Sequence, residues 1–271
     1  MKKRSLLARL RINGACYLIS VLLLLVGVPL YQLLVLNPTG YNSILASSGP
    51  NLAVTYLAWI STHQLQFIIQ RLLLVFAFAL LFTLPFSLFR IIVAQELVEQ
   101  AEQANEEPSE ETDEHTEEGL PAHPWRGKGF VIIAAWAGVF GLLFYILGTV
   151  AGTLYLVVAS GNATVPDNFT LFSSTFSIMA NTVGIGLLAL AALFFGAMIA
   201  RRGLHLWPGI WVAFGYTSLA VAALFSGSAV EVASAPATGQ APLTTPAVLL
   251  FALWVLWLSI MLVRLKPEQP D

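Results

Sequence analysis

The sequence predicts an all-α membrane protein, a polytopic bundle of six transmembrane helices. Hydrophobic residues make up 57% of its 271 residues and charged residues only 10%, whereas an ordinary soluble domain has about 25% charged residues. Uncharged apolar runs also recur at lengths near the roughly 20 residues that a helix needs to cross a bilayer. Helices are expected because backbone polar groups in lipid must find their hydrogen-bond partners within the segment.

The apolar runs define the predicted spans, each bounded by charged, polar or turn-forming residues. The predicted spans are Ala15–Leu36, Arg71–Val93, Phe130–Val158, Ser174–Ala200, Trp207–Ser226 and Pro246–Val263. The basic N-terminus is expected to lead into a retained first helix, because its apolar run exceeds the roughly 7–15 residues of a signal peptide. Pro29 and Pro85 fall inside the first two spans and are expected to kink them.

Lysine and arginine predict the orientation of the bundle. Twelve of the thirteen lie before the first span, at or in the connection between spans two and three, between spans four and five, or after the sixth. The alternate connections, 37–66, 159–173 and 227–245, contain none. Because basic loops stay on the cytoplasmic side, both termini are predicted to be cytoplasmic. The short turns on that side favour a bacterial inner (plasma) membrane, and Arg71 is the single basic residue on the outer side.

The connection between spans two and three differs in composition from the rest of the chain. It holds eleven of the fifteen acidic residues, from Glu96 to Glu118. The second helix is expected to continue into this region and to end before Pro108. The remainder has too little apolar surface to offset the entropy of ordering, so it is expected to be largely disordered. It is either a solvated spacer or a docking segment for a basic partner.

The chain is accordingly divided into three parts within one membrane domain. These are helices one and two with an outer interfacial segment (1–94), the acidic cytoplasmic loop (95–128) and helices three to six (129–271). The interfacial segment near 51–66 sets Tyr56, Trp59 and Ile60 among polar residues. That pattern predicts an amphipathic helix on the outer leaflet.

One candidate site surrounds the exceptional arginine. Its residues are His63, Gln66, Gln70 and Arg71, of which the first three fall on one helical arc with the arginine beside it. Asp167 and Glu231 are the only acidic residues predicted on that side. Arg71 either binds an anionic headgroup or solute in an outward-facing pocket, or reaches lipid phosphates or pairs with one of those carboxylates.

A second candidate group lies in the outer halves of spans three and four. Ser177 and Asn181 share a helical face in span four, and Thr149 lies in span three. They either line a hydrated vestibule or form interhelical hydrogen bonds. Gly148, Gly152 and Gly196 are small residues of the kind that let helices pack closely.

No functional chemistry is visible at membrane depth. No Asp, Glu, Lys or His falls in the middle of a predicted span, which weighs against proton relays, ion-coupled transport and metal hydrolysis. The histidines, at 63, 115, 123 and 205, lie outside the spans, so a bis-histidine haem site is not expected. We therefore expect no catalytic residue, no metal or other cofactor, and no nucleic-acid partner.

The leading functional expectation is a non-enzymatic accessory, scaffold or assembly subunit. Its partners would be the lipid bilayer and a protein bound through the membrane helices or the acidic loop, 96–118. The alternative is a small-solute carrier or channel with an outward-facing polar vestibule. A membrane enzyme acting on lipids is a third reading, and it requires polar groups at depths other than those predicted here.

Overall fold

The computed structural model describes residues 2–46, 51–106, 128–162, 164–234 and 242–264. Within these ranges the chain forms helices and no β-strand. Six helical stretches are long and apolar enough to cross a membrane. They are, from span 1 to span 6, Ala8–Thr39, Gln64–Leu97, Gly129–Ser160, Phe169–Arg201, Gly209–Ser234 and Thr244–Val263. The all-α bundle is confirmed, and the chain is a multi-pass membrane protein.

Several observed spans are longer than the predicted ones. Span 2 begins at Gln64 rather than at Arg71, and span 4 begins at Phe169 rather than at Ser174. The predicted starts followed hydropathy alone, whereas a helix continues through polar residues as long as its backbone hydrogen bonds are made. Arg71 therefore lies about two turns inside its helix and not at its first residue, which corrects the predicted start of span 2.

Span 1 is irregular around its proline. Helix α1 (Lys2–Leu22) is followed by a π-helical stretch, Leu23–Gly27, then by the short helix α2 (Val28–Tyr31) and a second π-helical stretch, Gln32–Leu36. Pro29 lies in α2, where its ring removes a backbone donor. The widened turns on both sides are the kind of local adjustment that such a loss produces in a helix.

Span 2 is interrupted by a turn. Helix α5 (Gln64–Leu80) ends there, and helix α6 (Leu84–Glu106) begins after it. The amide of Leu84 donates to the carbonyl of Leu81, at 2.8 Å, and the proline at position 85 has no amide to continue the ladder. Helix α6 continues into the acidic loop as far as Glu106, as predicted. The predicted helix end before Pro108 falls among residues 107–127, which lie outside the described residues.

The remaining spans contain five helices. They are α7 (Lys128–Ser160), α8 (Phe169–Ser177), α9 (Ile185–Leu206), α10 (Gly209–Ser234) and α11 (Thr244–Val263). A π-helical stretch, Ile178–Gly184, joins α8 to α9 within span 4. Helix α9 packs on α7 on one side and on α10 on the other, while α11 packs on α1 and α10. Spans 3, 4 and 5 are thus neighbours in chain order.

Two short helices connect spans 1 and 2. They are α3 (Tyr41–Ala46) and α4 (Leu52–Thr62), the second of which falls within the predicted amphipathic segment. Tyr41 packs on Trp59, with ring centroids 4.7 Å apart, and the indole of Trp59 donates to the carbonyl of Thr39, at 2.9 Å. With Ile60 and Phe67 these residues form a small core separate from the main one. The buried face of α4 therefore contacts protein.

Serine hydroxyls tie the spans together inside the main core. Ser20 of α1 donates to the carbonyl of Ala77 in α5, at 2.8 Å. Ser218 of α10 donates to Ala192 of α9, at 2.7 Å. A third bond, 2.8 Å from Ser259 Oγ to the carbonyl of Gly14, joins the last span to the first. These bonds are made entirely within the bundle, as lipid requires of buried polar groups.

Candidate functional site

Arg71 lies among tyrosines contributed by three different helices. Its guanidinium interacts electrostatically with the phenol oxygens of Tyr41 in α3, Tyr56 in α4 and Tyr145 in α7, with Tyr56 in hydrogen-bonding range. The ring of Phe67, one turn earlier, lies 5.2 Å from the guanidinium carbon. The aromatic face attracts the cation, as in other arginine–aromatic pairs. We call Arg71 with its three tyrosines the arginine–tyrosine cluster.

Two polar atoms at this cluster are buried without a hydrogen-bond partner. One is Nε of Arg71, and the other is Oε1 of its neighbour Gln70, whose side chain is 6% exposed. Leaving such groups unpaired is costly, by about 1–3 kcal/mol for a neutral group. The cluster therefore has unused capacity both to donate and to accept a hydrogen bond.

Neither acidic residue predicted on this side neutralises the arginine. Among the residues that the structure describes, Arg71 forms no ion pair. Asp167 is exposed in the connection between α7 and α8. Glu231 accepts a hydrogen bond from the backbone amide of Leu243, at 3.1 Å. Among the described residues, the groups that face the Arg71 charge are consequently hydroxyl dipoles and the ring of Phe67.

The other predicted members of this site make separate contacts. His63 lies between α4 and α5 and stacks on Trp59, with ring centroids 5.1 Å apart. Its Nδ1 lies 2.8 Å from the hydroxyl oxygen of Thr62. The backbone carbonyl of Gln66 accepts a hydrogen bond from Tyr31, at 3.3 Å. These contacts fasten the start of span 2 to α4 and to span 1.

The three residues predicted to line a vestibule, Thr149, Ser177 and Asn181, lie in different environments. Thr149 interacts through its hydroxyl with Tyr145 and is thereby linked to the arginine–tyrosine cluster. Ser177 Oγ is buried and has no hydrogen-bond partner. Asn181 is half-buried in the π-helical stretch of span 4. None of these three residues lines either of the two cavities described below.

The three predicted packing glycines are all in close helix contacts. A Cβ atom on Gly148 would lie 2.8 Å from the backbone nitrogen of Ala180 in span 4, and one on Gly152 would lie 3.2 Å from Cβ of Phe176. A Cβ atom on Gly196 would lie 2.7 Å from the carbonyl oxygen of Gly215. The first two glycines therefore bring span 4 against span 3, while Gly196 faces span 5.

A large cleft opens at the end of the bundle opposite the arginine–tyrosine cluster, and arginines from three separate parts of the chain line it. Its volume is about 1250 Å³, compared with about 20 Å³ for a small cavity lined by spans 2, 3, 4 and 6. Helix α6 forms one wall, helices α10 and α11 form the other, and α1 contributes its first turns. We call this feature the basic-end cleft.

The basic-end cleft combines arginines with tryptophans. These residues are Arg9, Arg90, Arg264, Trp207, Trp211 and Trp257. The three arginine side chains are exposed and form no hydrogen bond or ion pair with a residue that the structure describes. The indole rings of Trp207 and Trp211 are 5.3 Å apart. Other lining residues are mainly aliphatic or phenylalanine, and no carboxylate is among them.

From these arginines the sequence predicted the orientation of the bundle but not the cleft. The available signal was the repeated pairing of basic residues with tryptophan at one membrane face, as in the sequence from Arg201 to Trp211. Such pairing is typical of any membrane–water interface. Only the helix arrangement distinguishes a shared cleft from separate interfacial anchors.

In comparisons with known proteins, no family model, no curated protein and no solved structure matches this chain. The two sites and the packing between the spans are therefore the features that bear on its function.

Proposed function

We propose that this chain is a non-enzymatic accessory, scaffold or assembly subunit of a bacterial inner membrane, acting through helix packing and through contacts with lipid or a partner protein. The observation that carries the proposal is the backbone-to-backbone packing of span 4 on its neighbours. A Cβ atom on Gly141 or Gly184 would lie 2.9 or 2.8 Å from backbone atoms of the facing helix. A solute path between spans 3 and 4 would have to separate these backbones.

Polar groups near this contact support the same function. Ser218 Oγ bonds to the carbonyl of Ala192, and Thr182 Oγ1 bonds to the carbonyl of Ala229, at 3.4 Å. Both bonds join span 4 to span 5. Interhelical hydrogen bonds of this kind hold bundles together without lining a water-filled path. The placement of twelve of thirteen basic residues at one face supports cytoplasmic termini. The compact six-helix design, with its short turn between spans 4 and 5, supports the bacterial setting.

Affinity purification from native membranes tests the proposal. The tagged chain is compared with an unrelated six-span protein carrying the same tag, and co-purifying chains are quantified by mass spectrometry. We expect one chain to be enriched in constant ratio to the bait. A variant with the acidic residues between 107 and 118 replaced by glutamine or asparagine separates docking through the loop from docking through the helices. Enrichment of no chain in any preparation would contradict the proposal.

A second candidate function, a small-solute carrier with an outward vestibule, is favoured by the unpaired buried atoms of Gln70, Arg71 and Ser177. Purified protein in liposomes is tested for flux of glycerol and of chloride against protein-free liposomes. Flux that falls in Arg71→Ala, Asn181→Ala and Thr149→Val would support the carrier. Flux at the protein-free rate supports the accessory function.

A further inference from the structure

We infer that the basic-end cleft is a binding site for an anionic phospholipid of the adjacent leaflet. The inference goes beyond the proposed function, because an accessory subunit and a carrier could each hold such a lipid. It rests on the size of the cleft, on its combination of charged and apolar lining residues, and on the lack of a carboxylate among the described residues that line it.

The size of the cleft suits a ligand with long apolar chains. Its volume of about 1250 Å³ exceeds the roughly 300–1,000 Å³ of pockets that hold drug-sized molecules. Leu253 and Ile210 line it and expose 52% and 53% of their surface. Exposed aliphatic walls of this extent favour an occupant that covers them with hydrocarbon. A free phosphate ion would leave these walls uncovered.

The charge of the cleft suits a phosphate headgroup. Arg9 is in the first half of α1, Arg90 is in the first half of α6, and Arg264 directly follows α11, so three separate helices bring guanidinium groups to one cleft. Their planar forks bind phosphate oxygens in pairs. No acidic residue is among the described residues that line the cleft, so none of these competes with a bound anion. A neutral lipid would leave this positive charge without compensation.

The tryptophans mark the depth of the site. Trp207 is buried at the turn between α9 and α10, while Trp211 and Trp257 are partly exposed along the same wall. Indole rings prefer the level of the lipid headgroups, with their apolar bodies toward the acyl chains. Arginines, indoles and aliphatic side chains thus line one cleft, and these are the three kinds of surface that suit a phospholipid from headgroup to chain.

Native mass spectrometry of the full chain tests the inference. The detergent-solubilised protein is titrated with dioleoyl phosphatidylglycerol or dioleoyl phosphatidylcholine, which differ in headgroup charge but not in acyl chains. We expect tighter binding of phosphatidylglycerol. Each of Arg9→Gln, Arg90→Gln and Arg264→Gln is expected to weaken it about fivefold, the effect of one basic residue beside an anionic headgroup.

Arg201→Gln is the matched control. Arg201 is an exposed arginine of the same end but does not line the cleft, so its substitution is expected to leave phosphatidylglycerol binding unchanged. Leu253→Trp tests the apolar wall, since a larger side chain in the cleft is expected to displace an acyl chain without a change in charge. Glycerol phosphate and inorganic phosphate, which lack acyl chains, are expected not to compete.

Four results would overturn the inference. The first is equal binding of the two lipids, and the second is an equal loss in Arg201→Gln and in the three cleft variants. The third is displacement of phosphatidylglycerol by inorganic phosphate at millimolar concentration, which would indicate a simple anion site. The fourth is binding that occurs only after residues 107–118 are deleted, which would assign the cleft to the chain's own acidic segment.

Discussion

The backbones of Gly148 and Ala180 are in direct contact between spans 3 and 4. A Cβ atom on Gly148 would lie 2.8 Å from the nitrogen and 2.9 Å from the Cβ of Ala180. This contact lies in the outer halves of the two spans, one residue from Thr149 and from Asn181, where the alternative function requires a vestibule. A solute path would require the two backbones to separate here, so the stability of this contact distinguishes the two proposed functions.

Gly148→Ala is expected to destabilise the bundle. The added methyl group meets backbone atoms that cannot rotate away, and overpacking of this kind costs about 1–3 kcal/mol. Unfolding by sodium dodecyl sulfate, followed by circular dichroism, measures the change. Gly186→Ala is the matched control, because nothing lies within 4 Å of its added Cβ and alanine is favoured over glycine inside a helix. Equal stability of the two variants would show that the contact is loose.

Ser218→Ala is expected to weaken the contact between spans 4 and 5. The variant removes the buried 2.7 Å bond to the carbonyl of Ala192, and interhelical bonds in membrane proteins average about 0.6 kcal/mol with a maximum near 1.7. Its neighbour Thr217 bonds to the carbonyl of Ala213 in its own helix, at 2.9 Å. Thr217→Ala is therefore expected to change unfolding in the same detergent assay much less. A larger loss for Thr217→Ala would contradict this assignment.

The number and approximate placement of the spans could be predicted because the requirements of lipid can be read along the sequence. A helix that crosses a bilayer needs an apolar run of fixed length, and this can be read residue by residue. The same is true of the break at Pro85, which follows from a missing amide. The helix from Leu52 to Thr62 was also visible in the spacing of its large apolar residues.

The partners of Arg71 and the basic-end cleft could not be predicted in this way. Tyr145 reaches Arg71 only because α7 crosses α5, and no local pattern encodes that crossing. A count of acidic residues on the predicted outer side suggested Asp167 or Glu231 as the partner of Arg71, but such a count contains no distances. Arg9 and Arg264 are far apart in sequence, and their shared cleft depends on the packing of α1 against α11. Three-dimensional arrangement determines both sites.

Arg71→Gln is expected to loosen the contact between α4 and the bundle. The variant removes the charge that interacts with Tyr41 and Tyr56, and hydrogen bonds to charged groups contribute about 1.5–3 kcal/mol. Hydrogen exchange followed by mass spectrometry is expected to show amides of Leu52–Thr62 exchanging about tenfold faster, or more. Amides of α10 serve as the internal reference, and Arg201→Gln is the control for loss of an arginine. Unchanged exchange in α4 would mean that its apolar face alone holds it.

Tyr41→Phe is expected to reduce the loss of stability at alkaline pH. Burial raises the pKa of the Tyr41 phenol above its usual value, while in the unfolded chain the group ionises near pH 10. Above pH 10 the folded protein keeps a proton on Tyr41 that the unfolded chain has lost. The stability that Tyr41 contributes is therefore complete below pH 10 and is lost as pH rises toward the folded pKa. Phenylalanine keeps the ring contact with Trp59 and has no proton to lose. Detergent unfolding at pH 8 and pH 11 should give a smaller difference in the variant, by up to about 1.4 kcal/mol. Equal differences in the two proteins would mean that the hydroxyl of Tyr41 is accessible to water.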